Sequence, residues 1–260
     1  MDLGRLGLGV PFGLFEPVAG RRVGEYAVTS RIGGGRYGVC FEAVDARGDR
    51  VVLKRFRRRM WKRNDGRNHH EAVILSGLNH PAIPELLGVV NDASGYYFVL
   101  EYKDGRTLGQ WLFDEGRSFT EQDIQRIGTQ LLDILVYIHS RSVVHGDISP
   151  ANVLDDGDRV SLVDFGLARY ADADAHAMRQ GQFDLDLACF ANVMIYLMYS
   201  CPRLTRDGGG GRTPWYDDLK ISSDQCDCMK RLIGIGSPYA DTRSAAEGFR
   251  RAFTPWVGRP

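Results

Sequence analysis

The hydrophobic period of this chain changes once, near Tyr102, and that change limits the folds open to it. From Glu25 to Glu101 the apolar residues fall in short strand-like runs, at 26–32, 39–44, 51–56, 86–90 and 96–100, separated by Gly, Asn and Asp turns. One helical segment, 69–78, interrupts them and is closed by Asn79-His80-Pro81. After Tyr102 the period is that of a helix. Thr120 is placed as a cap with Asp123 in the capping-box position, and Ile124, Ile127, Leu131, Leu135 and Ile138 share one face. Further helices are predicted at 184–200, 229–233 and 244–253, with a flexible Gly-rich loop at 207–212. The expected class is α+β: a small β-rich part with one helix, followed by a larger, mainly helical part. Residues 1–24, punctuated by Gly and Pro, are expected to form an irregular arm.

A chain of 260 residues with 43% apolar and 25% charged side chains is long enough for one large domain or two smaller parts. Lys plus Arg total 33 and Asp plus Glu total 33, so net charge gives no argument for a nucleic-acid or membrane partner. No run approaches 18 apolar residues, so no membrane span is expected. The five cysteines are odd in number and lack the spacing of a disulfide framework, which points to a reducing, cytoplasmic setting. Cys226 and Cys228 lack a second Cys/His pair nearby and read as small buried thiols rather than metal ligands.

Four stretches carry chemistry. The first, IGGGRYGVC at 32–40, places Gly33, Gly34, Gly35 and Gly38 between two strands. Glycines let a backbone approach phosphate oxygens with its amide donors. A strand rather than a helix follows, which argues against dinucleotide binding, and taken alone the pattern equally suits a plain Gly-rich hairpin. The second, VVLKRF at 51–56, puts Lys54 inside an apolar strand, where an inward-facing lysine needs an anion. Glu71 lies on the helical stripe of Ile74, Leu75 and Leu78 and needs a cation for the same reason. Lys54 and Glu71 therefore explain each other as a pair that holds the lysine against nucleotide phosphates. The third, VVHGDISPANVL at 143–154, sets Asp147 five residues before Asn152, the spacing of a catalytic base beside a metal ligand. In the fourth, VDFGLAR at 163–169, Asp164 follows a strand and is suited to Mg2+ bridging two phosphates.

In this order the four stretches resemble the protein kinase fold, and specifically the bacterial eukaryotic-like (Hanks-type) Ser/Thr protein kinases. LNHPAIPELLGV and FVLEYKDGRTL support the resemblance, which covers about residues 25–200 strongly. The arm, WYDDLKISS and KRLIGI are similar to minimal Gram-positive kinases made of little more than a catalytic domain. The resemblance implies a bilobal fold, with an N-lobe at 25–102 and a C-lobe at 103–260, using ATP and Mg2+ on a protein substrate. It places Ile32, Gly33, Gly34, Gly35, Gly38, Cys40, Val52, Lys54 and Leu154 around the nucleotide. Leu100 would line the adenine pocket, with Glu101 and Lys103 offering backbone hydrogen bonds to the base. Asn152 and Asp164 would hold Mg2+, and Asp147 would orient the acceptor hydroxyl.

The chain departs from the family pattern at named positions. Gly146 stands where an Arg usually pairs with a phosphorylated activation loop, so that switch has no receptor. Ser149 replaces the Lys that touches the γ-phosphate, with Arg169 a candidate substitute cation. Cys40 replaces a Val over the adenine. Only 22 residues separate Asp164 from Asp186, with no Ala-Pro-Glu between them, so the activation segment is shortened and the peptide-docking shelf reduced. Asp186 shares a helix face with Cys189, Phe190, Val193 and Leu197 and is expected to be buried; the resemblance implies that it accepts hydrogen bonds from the catalytic-loop backbone. His145 is read as structural, packing behind Asp164. The basic run from Arg55 to Arg67 and the acidic Asp172, Asp174 and Asp184 are read as solvated surface, and His69 and His70 as helix surface. Two other functions stay open: a small-molecule kinase of the aminoglycoside or choline type, and a nucleotide-binding scaffold with little catalysis.

Overall fold

The computed structural model describes residues 19–34, 38–56, 65–93, 95–171, 176–205 and 213–254, with side chains described from Glu71 and Gln180 onward in the helices that begin at 65 and 176. The predicted loop at 207–212, Gly35 of the glycine run, most of the arm, most of the basic run, Asp172 and Asp174 lie outside these residues, as do the side chains of His69 and His70. The chain divides into two compact units. One ends at Asp65 and resumes over Leu86–Tyr102; the other takes Gly66–Glu85 and everything described from Lys103 on.

The first unit is a six-stranded antiparallel sheet of β1 (Arg22–Val23), β2 (Tyr26–Gly34), β3 (Gly38–Val44), β4 (Arg50–Phe56), β5 (Leu86–Asp92) and β6 (Gly95–Glu101), in the order β1-β2-β3-β4-β6-β5. β1 falls inside the predicted arm, whose end is therefore not irregular: Val23 is fully buried and pairs with Tyr26. Alternate residues of the strands go to opposite faces. Val39, Phe41, Ala43, Val51, Leu53, Tyr97 and Val99 bury one face together with Val23 and Val28. Burial of each Val, Leu or Phe side chain among these contributes roughly 1.5–3 kcal/mol. The register sets Cys40 opposite Lys54, Lys54 opposite Phe98 and Val52 opposite Leu100, so these five residues share the other face. Gly38 is fixed by the sheet itself, since a Cβ there would lie 2.3 Å from the Arg55 carbonyl oxygen.

The second unit begins with α1 (Asp65–Ser76), four residues upstream of its predicted start, and is built around α2 (Glu121–Ser140) and α3 (His176–Ser200). α2 has the predicted capping box: Thr120 accepts from the Asp123 amide while the Asp123 carboxylate accepts from the Thr120 amide. α4 (Trp215–Asp218), α5 (Ser223–Leu232) and α6 (Thr242–Ala252) complete the helices. α6 packs closely on α2 at Gly128, where a Cβ would meet the Phe249 ring at 2.3 Å. α5 starts earlier than the predicted 229–233 because its first turns are polar; only Cys228, Met229 and Leu232 are buried. α3 likewise starts eight residues before the predicted Asp184. From Gln180 to Ser200 it is long and apolar enough to cross a membrane, a longer apolar stretch than the sequence reading allowed. Half of that stretch is buried within the unit.

Candidate active site

Three short pairings in the second unit bring the polar loops together. β9 (Val153–Asp155) pairs with β10 (Val160–Leu162) and β7 (Arg106–Thr107). β8 (Val143–Val144) pairs with β11 (Arg169–Tyr170). The loop 145–152 thus leaves β8 and enters β9, while 163–168 leaves β10 and enters β11. Buried Val143, Val144, Ile148, Val153, Val160, Leu162 and Phe165 anchor both loops. The Val163 amide donates to the Asn152 carbonyl at 2.9 Å, tying the residue before Asp164 to Asn152.

Within this frame Asp147 is half-buried and held by Asn152, whose Nδ2 donates to the Asp147 carbonyl at 2.8 Å and to its Oδ2 at 3.0 Å. With Nδ2 committed to Asp147, the Asn152 Oδ1 is the acceptor end of the amide. Asp164 is exposed and has φ of 63°, in the left-handed region that few non-glycine residues adopt; its Oδ1 accepts from the Gly166 amide at 3.3 Å. A side chain held in that conformation marks a site where the surroundings over-determine the backbone.

His145 connects the two loops from behind. Its Nε2 meets the Val163 carbonyl at 3.2 Å, and its Nδ1 accepts from the Asp147 amide at 3.2 Å. A carbonyl only accepts and an amide only donates, so this geometry needs the neutral ring with its proton on Nε2. Burial pushes the His145 pKa down, more than the surrounding carboxylates raise it, which agrees. The ring stands edge-on to Phe165, 4.7 Å between centroids, as its structural reading anticipated.

Asp186 holds the start of the loop. Its Oδ2 accepts from the His145 amide at 2.7 Å and its Oδ1 from the Gly146 amide at 2.9 Å, as the family resemblance implied. Burial works against its charge. The hydrogen bond and charge of His139, with the Gly146 amide, outweigh that and hold the Asp186 pKa below the usual carboxylate range. His139 was missed in the sequence. Its Nε2 lies 3.1 Å from Asp186 Oδ2 and its Nδ1 2.7 Å from the Thr242 hydroxyl of α6. The available signal was a polar ring four residues after Leu135 on the apolar face of α2, the same reasoning that singled out Glu71.

Gly146 has φ of 77°, and a Cβ there would lie 3.0 Å from the Leu167 carbonyl oxygen and 3.1 Å from Arg169 Nη1. The position therefore suits glycine for its backbone and for the guanidinium lying against it. Ser149 is half-buried, and its carbonyl accepts from the Asn152 amide at 3.0 Å.

The remaining predicted residues fall as follows. In the first unit Lys54 is buried at 4% exposure on the face it shares with Cys40, Val52, Phe98 and Leu100. Gly33 and Gly34 end β2, where the register with β3 shifts between Arg31 and Gly33; Ile32, inside that shift, is exposed. Glu101 ends β6 opposite Val51. In the second unit Glu71 is buried at 2% exposure, with Ile74, Leu75 and Leu78 also buried. Leu154 is half-buried on β9, between Ser161 and Thr107. The Lys103 Nζ donates to the Pro81 carbonyl at 2.7 Å. Among the described residues no three His, Cys, Asp or Glu side chains converge as a metal cluster. Asn152 and Asp164 offer two hard oxygen donors, a set that fits a Mg2+ held mostly by phosphates and water.

A glycine-bearing antiparallel sheet with a buried lysine, joined in sequence to a helical unit with a base–amide loop and an Asp-Phe-Gly turn, defines a kinase. The protein kinase domain model matches residues 26–207, and the chain belongs to that family. The chain is 28% identical over 232 residues to the probable serine/threonine-protein kinase YbdM of Bacillus subtilis, covering 88% of this chain and 89% of that one. It is 35% identical over 170 residues to the probable serine/threonine-protein kinase KIN1 homolog of Encephalitozoon cuniculi, covering 62% and 30%. Cyclin-dependent kinase 1 of the same organism is 36% identical over 148 residues, covering 54% and 49%. The chain thus spans most of the Bacillus relative and half or less of these eukaryotic ones.

Proposed function

We propose that the chain transfers the γ-phosphoryl group of Mg-ATP to serine or threonine hydroxyls of proteins. The observation that carries this reading is the Asp147–Asn152 couple, a half-buried carboxylate fixed by an amide whose oxygen remains an acceptor. Asp147 orients the acceptor hydroxyl and takes its proton late in the transfer. The Asn152 Oδ1 and the Asp164 carboxylate would hold Mg2+, which when bound neutralises charge on the β- and γ-phosphates. The glycine run covers the phosphates. The family resemblance supports Lys54, with Glu71 as its proposed partner, as the residue for the α- and β-phosphates, and the sheet face of Cys40, Val52 and Leu100 as the one for the adenine. His145 and Asp186 set the position of the Asp147 backbone and act as positioning residues.

The name of the Bacillus relative, similar to this chain over nearly its whole length, supports protein hydroxyls as acceptors and the minimal bacterial type. Gly146 supports activity that is not gated by a phosphorylated activation loop, since it offers no guanidinium to a phosphate and its positive φ disfavours a side chain there. The odd cysteine count, without the spacing of a disulfide framework, is what supports the expected reducing, cytoplasmic compartment. Ser149 brings no charge to the γ-phosphate and favours slow transfer; it is also what favours the rival reading of a scaffold with little catalysis.

Labelled Mg-ATP offered with protein mixtures, simple sugars and aminoglycosides separates these readings. Label on protein serine and threonine supports the kinase. Label confined to a small molecule makes it a small-molecule kinase, and nucleotide binding without transfer makes it a scaffold.

A further inference from the structure

From Leu187 to Ser200 α3 has no charged residue, although a solvent-facing helix surface ordinarily carries charge. One side of the helix is accounted for: Leu187, Phe190, Ala191, Val193, Met194, Leu197 and Met198 are buried, and Asp186 holds the catalytic loop. The other side is an uncharged stripe. Leu185 is 61% exposed and Tyr196 49%, with half-exposed Cys189, exposed Asn192 and Tyr199 between and beyond them. These residues recur at steps of four, three, four and three, which keeps them on one face. Phe113, in the short π-helical turn Gln110–Asp114, widens the stripe: it is 62% exposed and meets the Tyr196 ring edge-to-face at 5.6 Å. At the far end the Tyr199 hydroxyl donates to Asp218 Oδ2 at 3.1 Å, which fixes that ring.

The near end of the stripe adjoins the proposed base. Cys189 lies one turn beyond Asp186, whose carboxylate grips the His145 and Gly146 amides. His145 and Gly146 immediately precede Asp147 in the chain, so the start of α3 is tied to the loop that carries the proposed base. A polypeptide that presents a hydroxyl to Asp147 must run over whatever surface borders that residue, and on this side the border is the uncharged stripe.

We propose that the face of α3 formed by Leu185, Cys189, Asn192 and Tyr196, with Phe113, is the docking surface for the substrate polypeptide, and that it selects apolar side chains near the acceptor serine or threonine. The inference rests on the kinase reading of Asp147. From Leu185 to Tyr196 the helix rises about 16 Å, at about 1.5 Å per residue. An extended peptide covers that distance in about five residues at roughly 3.3 Å each. The selected apolar positions therefore lie within about five residues of the acceptor.

The test is a degenerate peptide library with a fixed serine, run on the full chain with Mg-ATP and followed by kinetics on the selected peptide. Wild type is expected to enrich Leu, Ile, Met or Phe at one or more positions in that window. The double variant Leu185→Glu/Tyr196→Glu, at two exposed positions, is expected to raise KM for the selected peptide about 10-fold or more, with kcat within about threefold and KM for ATP unchanged. Leu185→Met/Tyr196→Phe is expected to keep the wild-type KM. A library without apolar preference, or equal peptide KM in wild type and double variant, overturns the docking surface while leaving the kinase intact. A wild-type dimer, or binding to phosphatidylcholine vesicles, that the double variant abolishes with peptide KM unchanged assigns the face to a second copy or to lipid and overturns it equally. No transfer to any peptide or protein by wild type removes the kinase reading and the inference with it.

Discussion

The Asn152 side-chain amide donates to both the carbonyl and the Oδ2 of Asp147, at 2.8 and 3.0 Å. One residue thereby fixes the carboxylate proposed as base and keeps its own oxygen as the acceptor end that would hold the proposed metal. Asn152→Ala removes both effects. Activity is expected to fall, and the Mg2+ concentration for half-maximal transfer to rise, by roughly 10–100-fold, the scale for ligands and their supports. A Mg2+ titration of the variant reads this directly; an unchanged midpoint would place the metal elsewhere.

Asp186, itself buried, accepts two backbone amides and faces the buried His139. Asp186→Ala leaves those donors without a partner, at about 1–3 kcal/mol for each buried group. The urea midpoint should drop markedly, and the surviving folded protein should transfer phosphate poorly because His145 and Gly146 are no longer positioned. Wild-type midpoint and rate in this variant would show that the loop is held by other means.

Stability should fall on mild acidification. The folded-state pKa of His145 is depressed, first by burial, and that of His80 is depressed in the same way. A depressed pKa means the unfolded chain binds more protons below about 6.5, so stability present above that pH is lost as the pH falls toward the folded value. Protonation would also put a proton on His145 Nδ1, where the Asp147 amide now donates. Asp186, also depressed, adds a further loss only below about pH 4. Thermal melting is expected to drop between pH 7 and pH 5, and His145→Asn to flatten that slope while lowering the melting point overall. A wild-type melting point that rises toward pH 5 would contradict the neutral tautomer.

Gly128→Ala should cost about 1–3 kcal/mol, the usual penalty for overpacking. Its Cβ would collide with Phe249 and approach Met194 at 2.9 Å, and Phe249 is fully buried between helices. Calorimetry of the variant checks this; a melting point equal to wild type would mean that α6 moves freely against α2.

What the sequence made legible was local or periodic. The capping box of α2 lies within four residues, and the burial of Lys54, Glu71 and Asp186 followed from polar groups on apolar faces. The contact between His139 and Thr242 joins residues 103 apart and left no local trace. β7, β8 and β11 have two residues each, too few for a period, yet β8 and β11 place the two functional loops side by side. Gly146 was legible only as a lost arginine; its positive φ and the guanidinium against it belong to the fold. Gly38 was read for phosphate, whereas the Arg55 carbonyl alone requires a glycine there.

The central claim is that Asp147 acts on the acceptor hydroxyl during phosphoryl transfer from Mg-ATP. Asp147→Asn keeps the shape of the side chain and removes the base. With saturating Mg-ATP and a lysate as acceptor, the rate of label transfer to protein serine and threonine is expected to fall by roughly 10²–10⁴ while nucleotide binding persists. An undiminished rate in Asp147→Asn would contradict the account.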